Sequence, residues 1–321
     1  MTRSMYRVLP LAILLSACGG GSGDAGTGAP PPSASFPITS ENAQDATAKS
    51  WHAANSSTAY ANLAGTGGFV AASQGDFTKV AGATVGQLPA LLGKIPFGPE
   101  TVACPGTGTV TYSGDIADIT TLTAGDVINA DYDACGDGSG AIIDGELTMT
   151  IDAFNGDLAG GVYELALSIE LTNFQASFGN LFETANGAIT IALNTMATPI
   201  IVSSVSGDGL AVDTNVASTS LTNFLTQQTI DTGSVTPLYS LLASGTLDNS
   251  LLPGSVSYST PVEFERLGDD YPYAGTLLVT GENSSARLVV IDNTNVRIDI
   301  DADGNGEFES SIETTWSELD D

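Results

Sequence analysis

The sequence predicts a mainly β protein with one large antiparallel sheet, arranged as a curved sheet, a sandwich or a partial barrel, and one long N-terminal α-helix. In 147–153 and in 163–171, apolar residues alternate with Thr, Ser, Asp and Glu. This period of two is typical of antiparallel strands with one buried and one solvated face. Turn residues such as Asn-Gly separate most of the strand-like stretches, and an Ala-rich segment at 39–63 supplies the helix.

The first 17 residues have the features of an export signal. Arg3 and Arg7 give it a positive start, and residues 8–15 form an apolar run too short to span a bilayer core of about 30 Å. The run ends in Leu15-Ser16-Ala17-Cys18, which resembles the lipobox of bacterial lipoproteins. The resemblance implies cleavage before Cys18 and attachment of lipid to that residue, which would link the protein to a membrane. The alternative is an ordinary secretory signal with an incidental cysteine.

The residues after Cys18 indicate a linker and a location. In enteric bacteria an Asp after the lipidated cysteine retains a lipoprotein in the inner membrane, so Gly19 implies the outer membrane, with the protein facing the periplasm or the cell surface. Residues 18–38 are rich in Gly, Ser and Pro and are predicted to form a flexible lipid-anchored linker. A helix-containing N-terminal segment is predicted at 39–103, and the antiparallel β domain at 104–321.

The helix is predicted to begin at Thr39 or Ser40, since either residue can cap a helix N-terminus. It should run to about Leu63, before the Gly residues at 65–68 end it. A short second helix is predicted at 88–92. Further strands are predicted at 107–113, 126–132, 189–193, 200–205, 256–264, 276–280, 286–291 and 296–300. The tetrapeptide Leu-Thr-Asn-Phe occurs at 171–174 and again at 221–224. This repeat indicates duplicated hairpin units, a shared way of ending a strand, or chance.

Cys104 and Cys135 are the cysteines that remain if Cys18 is lipidated. In an oxidising compartment two such thiols favour a disulfide. If 107–113 pairs antiparallel with 126–132, the numbers of two residues that face each other add to about 239. The numbers 104 and 135 also add to 239, so this register places the two cysteines opposite each other. The bond would close a loop of roughly thirty residues and stabilise the fold by about 3 to 4 kcal/mol.

Charge and histidine content exclude several function classes. The chain has 37 acidic residues against 8 Lys and Arg, a formal net charge of −29, which argues against nucleic acid as a partner. His52 is the single histidine, so a Ser-His-Asp triad would have to use it, and no Gly-x-Ser-x-Gly motif accompanies it. We interpret His52 as a helix-packing or surface residue. No catalytic residue is predicted.

An acidic segment near the C-terminus is the strongest candidate for a metal site. Residues 301–306 read Asp-Ala-Asp-Gly-Asn-Gly, which resembles the opening of EF-hand and dockerin calcium loops. The resemblance implies side-chain or carbonyl oxygens at alternate positions as ligands, with Gly306 at the sharp turn. Position 12 departs from the pattern, because Ile312 stands where a bidentate Glu belongs, and the flanking stretches are strand-like. The alternative is an acidic hairpin turn. The predicted calcium ligands are Asp299, Asp301, Asp303, Asn305, Glu307 and Glu309.

A second acidic segment, with Asp115, Asp118 and Asp126, is a weaker calcium candidate. The whole chain is similar to acidic outer-membrane lipoproteins of proteobacteria, a resemblance that implies no activity. We therefore expect a non-catalytic lipoprotein with a structural or binding role, stabilised by calcium. The alternative is a periplasmic carrier of a lipid or other hydrophobic ligand. A glycoside hydrolase using two carboxylates is the weakest of the three hypotheses.

Overall fold

The computed structural model describes residues 35–61, 99–117, 122–136, 138, 140–157, 160–268 and 270–320, with side chains of the first segment described to residue 55. The predicted signal, Cys18 and the helix predicted at 88–92 lie outside the described residues. The elements, in chain order, are α1 (Ala43–Ala61), β1 (Glu100–Ala103), β2 (Thr109–Asp115), β3 (Val127–Gly136), β4 (Ala141–Asp157), β5 (Val162–Phe178), β6 (Leu181–Asn194), β7 (Ile200–Thr214), β8 (Ser218–Asp231), β9 (Leu238–Asn249), β10 (Ser255–Leu267), β11 (Ala274–Gly281), β12 (Ser284–Val290), β13 (Asn295–Asp301), β14 (Ser310–Thr315) and α2 (Trp316–Asp320).

The predicted fold class is confirmed. The 14 strands of the described residues form one sheet in which the spatial order is the sequence order, from β1 to β14, and each adjacent pair is antiparallel. The sheet is open, because in the described chain β1 pairs with β2 alone and β14 with β13 alone. Helix α1 contacts every strand from β6 to β13. The strands thus form a single open sheet and not two packed sheets.

The helix begins where the sequence predicts a cap. The Thr39 hydroxyl accepts a hydrogen bond from the backbone N–H of Glu41 at 3.3 Å, and the Asn42 side-chain oxygen accepts one from the N–H of Thr39 at 2.8 Å. This reciprocal pair has the form of a capping box, with Asn in the place of the usual Glu. Regular α-helix then runs over Ala43–Ala61, and the predicted end at Leu63 lies outside the described residues.

The folded body begins before the predicted linker ends. Phe36 and Ile38 are buried in the core, and Ser35 forms a parallel bridge with Ser255 at the start of β10. Residues 35–38, which the sequence assigned to the linker, therefore contact the sheet. Likewise, β1 precedes the predicted start of the β domain at residue 104.

The Leu-Thr-Asn-Phe repeat forms the same irregularity in two strands. Asn173 in β5 and Asn223 in β8 have φ of 47° and 48°, and the register of pairing shifts at both places. These are β-bulges, which bend a strand and increase its twist. At each one the Phe that follows, Phe174 or Phe224, is buried. The repeat thus lies in the middle of a strand and turns an aromatic ring into the core.

Phe224 also requires glycine on both neighbouring strands. A Cβ atom at Gly207 in β7 would lie 2.7 Å from the Phe224 ring, and one at Gly245 in β9 would lie 2.9 Å from the Cβ of Phe224. These separations are shorter than van der Waals contact, so a larger residue at either position would displace the ring. The two glycines allow Phe224 to pack across the bend in the sheet.

The predicted disulfide between Cys104 and Cys135 is present, with Cα atoms 5.4 Å apart, but the register used to predict it is wrong. Thr109 faces Asp133 in the β2–β3 pair, so opposed residue numbers add to 242 and not 239. Cys104 lies outside β2, in the turn after β1, where its N–H donates to the carbonyl of Gly108 at 3.1 Å. On its other side, the pairing of β3 with β4 shifts register between Tyr132 and Cys135. The bond therefore fastens the β1–β2 turn to β3.

The C-terminus closes an aromatic cluster over the helix. Trp316, the first residue of α2, has its ring centroid 4.8 Å from that of Trp51 in α1 and 6.2 Å from that of Phe264 in β10. Tyr271 stacks on the outer side of Trp316 at 5.8 Å. The indole N–H of Trp316 donates to the carbonyl of Pro272 at 3.2 Å, so its one polar atom is satisfied. Trp316 thus docks the end of the chain onto α1 and β10.

Candidate metal centre

The acidic segment forms the connection between β13 and β14, with Asp301 as the last residue of β13 and 302–309 as the loop. The flanking elements are antiparallel strands, as the sequence predicted, so the loop is carried by a hairpin. Gly304 and Gly306 have φ of +71° and +88°, a backbone region that favours glycine. At Gly304 a Cβ would also lie 2.7 Å from the carbonyl oxygen of Asn283. The loop thus packs closely on the β11–β12 turn.

Asp301 organises the loop from its buried end. The residue is only 4% exposed. One carboxylate oxygen, Oδ1, accepts hydrogen bonds from the N–H groups of Gly304 at 2.7 Å and Asn305 at 3.2 Å. The other, Oδ2, accepts one from Gly306 at 3.0 Å. The loop therefore curls around this carboxylate.

Two further carboxylates converge on Asp301. One oxygen each from Asp301, Asp303 and Glu309 lie within 4.8 Å of one another. Calcium binds oxygens at 2.3–2.6 Å, so two oxygens on the same ion are at most about 5 Å apart. The three side chains therefore fit around a single cation of this size. Asp303 and Glu309 are exposed, which leaves room for water as additional ligands.

Two other predicted ligands, Asn305 and Glu307, are not part of the group of three carboxylates. The side-chain oxygen of Asn305 accepts the N–H of Glu307 at 2.6 Å, and its amide N–H donates to Glu309 at 3.2 Å. Asn305 thus borders the cluster and contacts one of its carboxylates. The carboxylate of Glu307 is not part of the group of three.

Asp299 is also outside the group, and two arginines pair with it. Its carboxylate receives the guanidinium of Arg297 at 2.6 Å and that of Arg287 at 2.8 Å. Burial by itself would raise the pKa of Asp299, but hydrogen bonds from Arg297 and Arg287 outweigh burial, and the pKa lies below its ordinary value. Asp299 is therefore an ionised partner of two cations and is less available to a metal.

Arg287 and Phe308 are features of this region that sequence reasoning missed. The guanidinium carbon of Arg287 lies 4.2 Å from the centre of the Phe308 ring, a cation–π contact that holds the loop against the outer face of β12. Arg287 faces Asp299 across the β12–β13 pair. Only the register of those two strands reveals this pairing, and alternation along each strand does not fix it.

The second acidic segment has a different geometry. Asp126 is buried, and its two carboxylate oxygens accept the N–H groups of Ala117 at 2.9 Å and Thr123 at 2.7 Å. Asp115 is exposed at the end of β2, and Asp118 lies outside the described residues. In the part of the chain that is described, Asp301, Asp303 and Glu309 are the one group of three potential ligand residues that converge.

His52 packs a helix end and has no triad around it in the described chain. Its Nε2 lies 3.0 Å from the carbonyl oxygen of Leu319 in α2. Since a carbonyl can only accept, Nε2 carries the proton. Burial lowers the pKa of His52, although Asp320 and the bond to Leu319 act in the opposite direction. The interpretation of His52 as a helix-packing residue agrees with these contacts.

A surface depression of about 750 Å³ lies on the outer face of β5 to β8, beside the bulges. Its lining combines the hydroxyl groups of Ser168, Thr190 and Ser206 and the carboxylates of Glu170 and Asp208 with the apolar side chains of Leu171, Ile189 and Phe224.

Comparison with protein-family models, with curated proteins and with solved structures gave no match. Within the part of the chain that the structure describes, no helix combines the length and the apolar character needed to cross a membrane.

Proposed function

We propose that this chain is a non-catalytic lipoprotein of the outer membrane, anchored through lipid at Cys18, with a structural or binding role and a C-terminal loop that binds calcium. The anchor is supported by Leu15-Ser16-Ala17-Cys18 placed directly after a short apolar run. The convergence of Asp301, Asp303 and Glu309 within 4.8 Å is the observation that carries the metal proposal. Nucleic acid is not among the proposed partners, because the chain has a net charge of −29.

Calcium is the proposed ion because the candidate ligands are hard oxygen donors in an open loop. Calcium accepts 6–8 such ligands in flexible geometry and tolerates water among them. The three carboxylates would repel one another without a cation, and a divalent cation removes that repulsion. The absent glutamate at Ile312 removes a bidentate ligand, so we expect a dissociation constant of about 10⁻⁴–10⁻³ M, as in extracellular modules.

Replacing Cys18 tests the anchor. The Cys18→Ser variant should lose acylation and remain uncleaved by the lipoprotein signal peptidase. The measurements are the intact mass of the protein and its distribution between membrane and soluble fractions. Processing of the variant at the same site, together with retention in the membrane, would contradict the proposal.

Thermal unfolding tests the metal site. At millimolar calcium we expect stabilisation by about 1 kcal/mol through mass action, seen as a rise in the melting midpoint relative to chelator and to magnesium. The variant Asp303→Asn/Glu309→Gln should lose this rise. These two residues are preferable to Asp301, since Asp301 also accepts three backbone N–H groups and its replacement would disturb the loop without any metal.

Glu307→Gln is the matched control, because Glu307 is an exposed acid of the same loop whose carboxylate lies outside the cluster. It should retain the calcium response. If calorimetry detects no binding to the unaltered protein, or if Glu307→Gln and the double variant lose the response equally, the segment is an acidic turn.

A further inference from the structure

The antiparallel order of the sheet divides its connections between two ends. Because consecutive strands reverse direction, the turns at 179–180, 215–217, 250–254 and 282–283 and the loop at 302–309 all lie at one end, which we name the proximal end. The connections at 195–199, 232–237 and 291–294 lie at the other, which we name the distal end. The acidic loop is thus at the proximal end.

The chain from Cys18 also joins the body at the proximal end. Ser35 bridges Ser255, directly after the turn at 250–254. The carbonyl oxygen of Phe36 accepts the N–H of Glu282, in the turn at 282–283, at 2.8 Å. The chain that leads back to the proposed lipid therefore leaves the folded body between two proximal turns.

Three proximal turns carry exposed apolar side chains. Phe178 and Leu181 form the last cross-strand pair of the β5–β6 hairpin, and Leu181 is 61% exposed. Val216 and Leu251 are exposed in the next two proximal turns. Exposure alone does not distinguish the ends, since Val235 in the distal turn at 232–237 is fully exposed.

The length of chain between Cys18 and Ser35 does distinguish them. A Gly- and Ser-rich sequence of 17 residues has an expected end-to-end distance of about 23 Å. Strand β10, with 13 residues, is about 44 Å long at 3.4 Å per residue. If the distal end rested on a bilayer, the chain between Cys18 and Ser35 would have to run along the whole length of β10. That length is nearly twice the expected end-to-end distance of this tether. The proximal end reaches the bilayer without that extension.

We propose that the proximal end of the sheet rests on the lipid bilayer, with Phe178, Leu181, Val216 and Leu251 in contact with lipid. This inference rests on the lipid anchor proposed at Cys18. The bilayer is the partner because the tether holds the apolar turns next to it, where each buried apolar side chain gains free energy from leaving water. The contact orients the body with its strands pointing away from the membrane and with the acidic loop close to the lipid headgroups.

Tryptophan placed at each end tests the orientation. The native Trp51 and Trp316 are buried, so an introduced surface Trp reports its own surroundings. The lipidated mature chain is reconstituted in phosphatidylcholine vesicles with and without brominated acyl chains, which quench only nearby indoles. Leu181→Trp and, independently, Leu251→Trp should be quenched at least twofold more than the unaltered protein. Val235→Trp, at a still more exposed position of the distal end, should not.

The two proposals fail in different ways. Protein that carries no acyl group by mass, and does not float with the vesicles, would overturn the anchor. Protein that is acylated and floats, but shows no quenching at Leu181→Trp and Leu251→Trp, would overturn the docking alone. Equal quenching of the proximal and distal probes would also overturn it. Circular dichroism and melting of each variant in solution confirm that the probe leaves the fold intact.

Discussion

The two edges of the sheet are held in place by different means. At one edge, β1 has four residues that are all exposed, and the Cys104–Cys135 bond fastens its turn to β3. At the other edge, β14 leads directly into α2, whose Trp316 is fully buried against α1 and β10. One edge is fixed covalently, whereas the other is fixed by burial of apolar surface.

The difference follows from what each edge can bury. A strand with no buried side chain gains little from the hydrophobic effect, so a cross-link that restricts the unfolded chain is an effective way to secure it. The β14 edge lies beside the helix, where a large aromatic side chain has partners on two elements. The sheet is thus secured by a disulfide at the β1 edge, where little apolar surface is buried, and by a docked helix at the β14 edge, where a large side chain is buried.

Truncating Trp316 should give the largest effect. Trp316→Ala removes a fully buried indole from between Trp51 and Phe264 and should lower the free energy of unfolding by about 3–5 kcal/mol. Urea denaturation followed by circular dichroism measures the loss. The control is Val102→Ala in exposed β1, which should cost less than about 0.5 kcal/mol. Similar losses at the two edges would remove the distinction drawn between them.

Removing the disulfide should have the next largest effect. Cys104→Ser/Cys135→Ser should lower the free energy of unfolding by about 3 to 4 kcal/mol, the value for a loop of this length in the chain-entropy model. Amide hydrogen exchange should show lost protection in β1 and β2 and little change in β13 and β14.

The bond itself is checked by mass spectrometry after alkylation. Two thiols should react in protein recovered from the periplasm only when a reductant is added. Thiols that react without reductant, or a double variant as stable as the unaltered protein, would mean that the β1 edge needs no staple.

The smallest effect concerns His52 at the α1–α2 contact. Its pKa is lowered in the folded state, chiefly by burial, so the unfolded chain binds the proton more readily. The stabilising contribution is therefore complete above the unfolded value of about 6.5 and is lost as the pH falls through the folded pKa.

Comparing the pH profile of stability in the unaltered protein with that in His52→Gln isolates this contribution from the many carboxylates. Gln can still donate to the carbonyl of Leu319, so packing at the β14 edge is largely kept. The difference between the two profiles should change below about pH 6.5 and be flat above it. If the difference in stability between the two proteins were the same at every pH, His52 would make no contribution to the pH dependence of stability.

The alternation of apolar and polar residues predicted strands where the inward-facing residues are apolar. It failed where inward-facing residues are polar or where a β-bulge interrupts the strand. The inward row of β8 includes buried Thr226 and Gln228, and no strand was predicted there or at β9. Strands β4 and β5 are each 17 residues long, far longer than the alternating stretches, because bulges shift the period within them. A left-handed Asn such as Asn173 cannot be recognised from apolar spacing alone.

The candidate site was partly predictable for a related reason. Spacing within one loop placed Asp301, Asp303 and Glu309 together, since three nearby residues on a curled segment need no knowledge of the rest of the fold. Asp299 was grouped with them because it is close in sequence. Its partners are Arg297, two residues earlier on the same strand, and Arg287, which strand pairing places opposite it. Local chemistry can be inferred from spacing, whereas cross-strand charge pairing requires the register.

The sequential order of the strands also determines when each part of the chain can find its partners. Every strand after β1 pairs with the strand directly before it, and such local pairing is typical of faster folding than distant pairing. Helix α1 is the exception, because it precedes the whole sheet in sequence but contacts β6 to β13 and α2. If the chain emerges from a translocation channel amino end first, β1 to β5 can assemble while α1 still lacks its packing surface. Docking of the helix must then wait for the carboxyl-terminal half, and arrival of Trp316 against Trp51 completes the core.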